Sequence, residues 1–213
     1  MKSKFGISCI ICGIILMVSA LYLHCMNQEE DKQAKESAEA VMPNLVQQIQ
    51  EQRAQEESRQ GENDSSLELQ IPVALLTEED KKMAEIEIEG NLYIGYLSIP
   101  NLNLELPIMS TWSYEQLNVA PCRYNGSIRG EDLVLMAHNY DSHFGRLSQL
   151  NLADQIQFTD VEGVTTWYEV VGKDILDPTA VSEMTAGDFD LTLFTCTYGG
   201  ENRITIYCNK IKK

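Results

Sequence analysis

Basic residues are scarce in this sequence. Lys and Arg number 16 against 32 Asp and Glu, for a formal charge of −16 over 213 residues. Phosphate-backbone binding needs a concentrated cationic surface, so the balance argues against nucleic acid as a partner. It equally disfavours an anionic lipid surface for the globular part. Aromatic residues are few, 8% of the chain, and none falls between Asn27 and Leu92. That stretch has little with which to build a core and reads as a solvated spacer. Histidine occurs only as His24, His138 and His143. The six cysteines give no disulfide framework: Cys9, Cys12 and Cys25 lie in or beside an apolar run, and Cys122, Cys196 and Cys208 are an odd set. No internal repeat is present. Hydrophobic residues nevertheless make up 44%, so whole-chain disorder is excluded.

The apolar run is Phe5 to Cys25, 21 residues without an acid, Lys or Arg. As a helix it reaches about 31 Å, the thickness of a hydrocarbon core. Lys2 and Lys4 precede it and Glu29-Glu30-Asp31 follows. These flanks predict a signal-anchor over 5–25, a cytoplasmic tail over 1–4, and export of everything beyond. Cleavage after Val18-Ser19-Ala20 is the competing reading, but the run continues through Leu21, Tyr22 and Leu23. From 26 to 85 the chain is acidic and rich in Gln. One amphipathic helix is expected after Pro43, with a loop at Gly61–Ser66.

Beyond residue 86 the pattern alternates. Leu92, Ile94 and Tyr96, and then Leu102, Leu104, Leu106 and Ile108, mark two strands around Ile99-Pro100-Asn101. Further strands are expected over Leu133–Ala137, Gln155–Thr159, Val164–Gly172, Leu191–Thr195 and Arg203–Cys208, with short helical turns over Ser113–Asn118 and Phe144–Leu150. Many short strands with Gly, Asp and Asn turns predict an all-β barrel or sandwich over 86–213, the size of one domain.

Two of these strands end on chemistry. His138 follows the apolar strand Leu133–Ala137, and Cys196 follows Leu191–Thr195. Six residues separate Cys196 from Arg203, which opens the next strand. If the two strands form a hairpin, Cys196 and Arg203 lie side by side at its mouth. A thiol near a cation is a nucleophile, an imidazole can move protons to and from an amine, and a guanidinium can hold an oxyanion. The set fits acyl transfer and calls for no metal or cofactor.

Leu191-Thr192-Leu193-Phe194-Thr195-Cys196 resembles the T-L-x-T-C strand of sortases. Arg203 falls at the family's third catalytic place, and Met136-Ala137-His138-Asn139 is similar to its histidine segment, with Ala137 where Gly is usual. Tyr93–Pro100 is similar to the first barrel strand. The resemblance implies an eight-stranded sortase-like β-barrel following one transmembrane helix and a polar spacer. It implies a membrane-anchored transpeptidase, its catalytic domain extracellular on a Gram-positive-type surface. Such an enzyme cleaves an LPxTG-like sorting motif near the C-terminus of secreted proteins. It then joins the product to an amine of a cell-wall precursor or a pilin. Carried over, Cys196 is the nucleophile, His138 the general acid/base, Arg203 the substrate or oxyanion partner, and Thr195 a substrate contact. The loop from His138 to Leu147 looks like class B, while the short stretch from Thr166 to Leu191 keeps a class D-like assignment open. An exported cysteine peptidase that hydrolyses the same kind of motif is the alternative.

Overall fold

The computed structural model describes residues 2–60 and 72–212. The loop expected at Gly61–Ser66 lies outside the described residues. Among the described residues, nine strands follow one long helix, α1 (Lys2–Gln60). They are β1 (Ile86–Ile88), β2 (Asn91–Ile99), β3 (Leu104–Met109), β4 (Cys122–Asn125), β5 (Leu133–Met136), β6 (Gln155–Asp160), β7 (Thr165–Leu176), β8 (Leu191–Cys196) and β9 (Arg203–Ile211). Single-turn helices α2 (Tyr114–Leu117) and α3 (Val181–Met184) sit in the connections after β3 and β7. The strand order is β1-β2-β3-β4-β5-β8-β9-β7-β6, and β6 returns to pair with β2. Strands β2 to β9 thus form an eight-stranded closed barrel, and β1 is a short antiparallel addition on the end of β2. Closure removes the open sheet edge that would otherwise invite pairing with other chains.

The barrel interior is apolar, with Leu97, Ile99, Leu106, Ile108, Leu135, Ile156, Phe158, Leu193 and Ile206 among its buried members. Burying each such side chain stabilises by about 1.5–3 kcal/mol. Strict alternation along β2 fails at one point. The register against β3 shifts between Tyr93 and Gly95, so Ile94, Leu97 and Ile99 all join the interior while Tyr93 packs in a second cluster outside it. Gly95 permits this bulge: its φ is +143°, and a Cβ there would lie 2.1 Å from the Thr159 carbonyl oxygen on β6. A side chain at this position would prevent the pairing that closes the barrel.

The second cluster shows where the spacer differs from expectation. Helix α1 runs on through Pro43, and Ala34, Ala38, Val41, Leu45 and Ile49 are all buried. Their spacing puts them on one helix face. Val41, Leu45 and Ile49 pack on Ile86, Ile88, Tyr93, Met109 and Val161 outside the barrel wall. The spacer is therefore not solvated throughout: it docks. Its small and branched side chains find enough surface in β1, β2 and β3 without any aromatic of their own. The N-terminal part of α1 is long and apolar enough to cross a membrane, and its large side chains, among them Ile10, Ile14, Leu16 and Leu21, are exposed.

Candidate active site

Hairpin β8–β9 is antiparallel, and its register sets Cys196 directly opposite Arg203. The intervening turn needs its glycines. Gly199 and Gly200 have φ of +95° and +81°, and Gly200 N–H donates to the Thr197 carbonyl at 2.8 Å. Thr197 N–H donates to the Asn202 carbonyl at 2.9 Å, closing the hairpin mouth. The Arg203 guanidinium donates through Nη1 to the carbonyls of Gly200 and Asn202, both at 3.1 Å. Those bonds hold the cation at the hairpin mouth, on the residue paired with Cys196.

His138 arrives from a different part of the chain. Strand β5 pairs with β8 in parallel, Met136 opposite Phe194, and Ala137 N–H donates to the Phe194 carbonyl at 3.3 Å. Continuing that register brings His138 level with Cys196. Two side-chain bonds straddle the pair. Thr195 Oγ1 donates to the Ala137 carbonyl at 2.8 Å, and Asn139 Nδ2 donates to the Thr197 carbonyl at 3.4 Å. The residues flanking the thiol are thus tied to the residues flanking the imidazole. This also locates Thr195, which was expected to meet substrate. It is 1% exposed, and its hydroxyl is committed to the neighbouring strand.

The three groups share the outer face of the barrel. Alternation back from Cys196 puts Phe194 on the same face, where it packs with Val134, Leu176 and Met184, flanked by Tyr124, Met136 and Ala180. Tyr124 meets Phe194 edge-on at 5.2 Å, and Trp112 lies 5.8 Å from Tyr124. An apolar floor with an aromatic line therefore leads up to the thiol. A cavity of about 720 Å³ opens at its far end beside Trp112, Tyr124 and Arg123. A second, of about 530 Å³, lies on the imidazole side, lined by Glu30, Gln33, Tyr114, Asn118, His138 and Tyr140. Sequence reading missed this floor, although the period of two running back from Cys196 was a signal for Phe194.

Electrostatics separate the thiols. Cys122 and Cys208 are fully buried and unbridged. Burial pushes the Cys122 thiol up to about 12 and raises that of Cys208 as well. No bridge joins these two thiols. Cys208 points into the barrel, whereas Cys122 belongs to the cluster outside it. Cys196 is the partly exposed thiol of the barrel. Burial holds the His138 imidazole below its ordinary value, and the Glu30 carboxylate on α1 works in the opposite direction. His143, in the loop beyond His138, is completely buried. Neither of its ring nitrogens has a well-formed hydrogen bond, and burial depresses it to about 4. The reason is α1, whose docked segment covers the turn that carries it. Among the described residues no three His, Cys, Asp or Glu side chains converge as a metal site.

A closed barrel that brings a thiol, an imidazole and a guanidinium to adjoining strand ends can support thiol acyl transfer. The sortase-domain family model matches residues 97–211, and the chain belongs to the sortase family, whose members are cysteine transpeptidases. Solved structures similar to it include a sortase D5 transpeptidase from Clostridium perfringens, 18% identical, with a TM-score of 0.52 over 65% of this chain and 91% of that one. A sortase C from Clostridium perfringens SM101 is 19% identical, with a TM-score of 0.50 over 89% and 98%. Streptococcus agalactiae sortase C1 is 22% identical, with a TM-score of 0.51 over 57% and 70%. At these identities the likeness concerns the fold. Among curated proteins compared by sequence, none matches.

Proposed function

We propose that this sortase cleaves a C-terminal sorting motif of LPxTG type in secreted proteins and transfers the new carboxyl end to an amine. The observation that carries the reading is the strand register: Cys196 faces Arg203 across β8–β9, and the β5–β8 register brings His138 level with Cys196. The motif lies along the apolar floor of Phe194, Val134, Leu176 and Met184, which suits aliphatic side chains upstream of the scissile bond.

Each residue then has one task. The Cys196 thiolate attacks the scissile carbonyl carbon, and the C–O π pair moves to oxygen. Arg203 donates N–H groups to that oxyanion, or to the adjoining backbone of the motif. Collapse of the intermediate expels the amine, which takes its proton from the His138 imidazolium, and a thioester on Cys196 remains. An incoming primary amine gives a proton back to His138 and attacks the thioester. The thiolate leaves and a new amide forms. Burial lowers the His138 midpoint and so favours its neutral form, which suits the base role toward the incoming amine. In the cell we assign the 5–25 segment to a single membrane span with the N-terminus cytoplasmic, residues 26–85 to an extracellular connector, and residues 86–213 to the catalytic domain. The acceptor is an amine of a cell-wall precursor or of a pilin.

The test uses the full chain in detergent micelles with a panel of fluorogenic sorting peptides, with and without a primary amine, and product masses. An amide formed only when amine is supplied supports transfer. Cleavage to free acid at the same rate with or without amine assigns a peptidase instead.

A further inference from the structure

We propose that Asp31, on the part of α1 just beyond the apolar run, is a positioning residue of the active site: it clamps the loop carrying His138 through Ser142. The inference rests on the reading of His138 as the proton-transfer group.

Cys196 and Arg203 sit in a hydrogen-bonded hairpin, so the ladder fixes both. His138 lies beyond the end of β5, in a loop that turns through Gly145 N–H to the Tyr140 carbonyl and Phe144 N–H to the His138 carbonyl. Its side toward β8 is tied by Thr195 and Asn139. The other side is held by α1. An Asp31 carboxylate oxygen accepts from Ser142 N–H at 2.9 Å and also from Ser142 Oγ–H, which reaches the Asp31 main-chain carbonyl at 3.2 Å as well. One turn of the clamp is therefore made by two acceptors on one helix residue and two donors on one loop residue, 111 positions apart. Next to it, Tyr140 hydroxyl donates to Glu30 at 3.4 Å, and the Tyr140 ring lies 5.0 Å from the His138 ring and 5.7 Å from that of His143.

The clamp is not a loose surface contact. Ala34 and Ala38 are buried at 1% and 3% exposure, so the helix backbone comes close to the loop. Further along, Leu45 and Ile49 pin α1 to the barrel. A carboxylate accepting from a backbone N–H is among the stronger hydrogen bonds, and a catalytic group displaced by about 1 Å can lose on the order of a hundredfold in rate. The groups acting on or packed at His138 are Glu30 from α1 and Tyr140 and His143 from its own loop, while strand register sets Cys196 level with it and Arg203 opposite Cys196. Asp31 itself acts on His143. With the clamp released, water reaches the His138 ring and its midpoint rises toward the ordinary value, because burial is the larger of its two influences.

The experiment compares Asp31→Ala and Asp31→Asn in the full chain in micelles. Alanine removes the side-chain acceptor, whereas asparagine keeps an acceptor oxygen and drops the charge. Two readouts are taken: the His138 titration by NMR of 13C-labelled histidine, and kcat/KM for transfer. Asp31→Ala is expected to raise the His138 midpoint and lower kcat/KM at least about tenfold. Asp31→Asn is expected to restore the wild-type midpoint and to bring kcat/KM within about threefold of wild type. An unmoved midpoint with kcat/KM within about twofold in Asp31→Ala overturns the clamp, as does an Asp31→Asn chain as impaired as Asp31→Ala. If Asp31→Ala does not fold, Asp31→Ser, which shortens the side chain away from both Ser142 donors, takes its place, and an unmoved midpoint there overturns the proposal. A wild-type chain that transfers no acyl group overturns the transpeptidase reading, and the NMR titration still decides the clamp.

Discussion

Thr195 and Ala137 are joined across β8 and β5 by one side-chain hydrogen bond, the Thr195 hydroxyl donating to the Ala137 carbonyl at 2.8 Å. Each immediately precedes a proposed catalytic residue, so the bond sets the spacing of thiol and imidazole. Thr195→Val keeps the shape and leaves that buried carbonyl without its donor. The expected cost is about 1–3 kcal/mol of stability, with a fall in kcat/KM. Thr195→Ser should recover both. Urea melts and peptide-cleavage assays check this, and a Val variant with wild-type kcat/KM would remove Thr195 from the positioning of the pair.

Cys196→Ala should abolish both cleavage and transfer while the barrel keeps its melting temperature, because alanine fits a strand end and no disulfide depends on this thiol. A methanethiosulfonate reagent should label Cys196 in the folded barrel well before Cys122 or Cys208, whose thiols burial holds in the protonated form. Mass mapping of the labelled peptides reads the order.

Arg203→Lys retains a charge but not the planar fork of donors. Losing one oxyanion donor raises a barrier by about 2.7–4 kcal/mol in other enzymes. We expect at least about a hundredfold lower kcat/KM on that scale. The shorter donor set also gives up the bonds to Gly200 and Asn202. Activity within a factor of about three of wild type would exclude a contact to the transition state.

His143 links stability to pH. Its folded-state value of about 4 lies below the ordinary 6.5, so between these values the unfolded chain binds a proton that the folded chain refuses. Stability is therefore complete above about pH 6.5, falls as pH drops through the window, and levels off below about pH 4. The contribution between pH 7 and pH 4.5 is about 2–3 kcal/mol. His143→Leu should remove that part of the slope, measured as the difference between urea melts of the two chains across this range. Identical slopes would show that the ring is not held neutral under α1.

Leu45 tests the docking of α1. Fully buried between the helix and the barrel, it should cost about 2–5 kcal/mol of docking stability when cut to alanine. The expected readout is faster proteolysis within 30–55, with the barrel itself still protected. Unchanged cleavage would mean that the helix is held by other contacts.

Local pattern by itself determined a good deal of this protein. Strands β5 to β9 follow from short apolar or alternating runs bounded by turn residues, and the Cys196–Arg203 pairing follows from a glycine-containing turn short enough to force a hairpin. The apolar run over 5–25 needs no partner to be read. Tertiary structure alone decided the rest. His138 reaches Cys196 by parallel pairing of β5 with β8, across 58 residues, and no spacing rule encodes such a non-local choice. Strand β4 is too short to announce itself by pattern and forms where β3 and β5 supply its hydrogen-bond partners. Docking of α1 escaped notice because its buried face begins with Ala34 and Ala38, side chains that carry almost no hydrophobic signal yet allow the closest approach. The burial of His143 and the clamp on Ser142 follow from that approach, so both were decided by a surface that only the closed barrel creates.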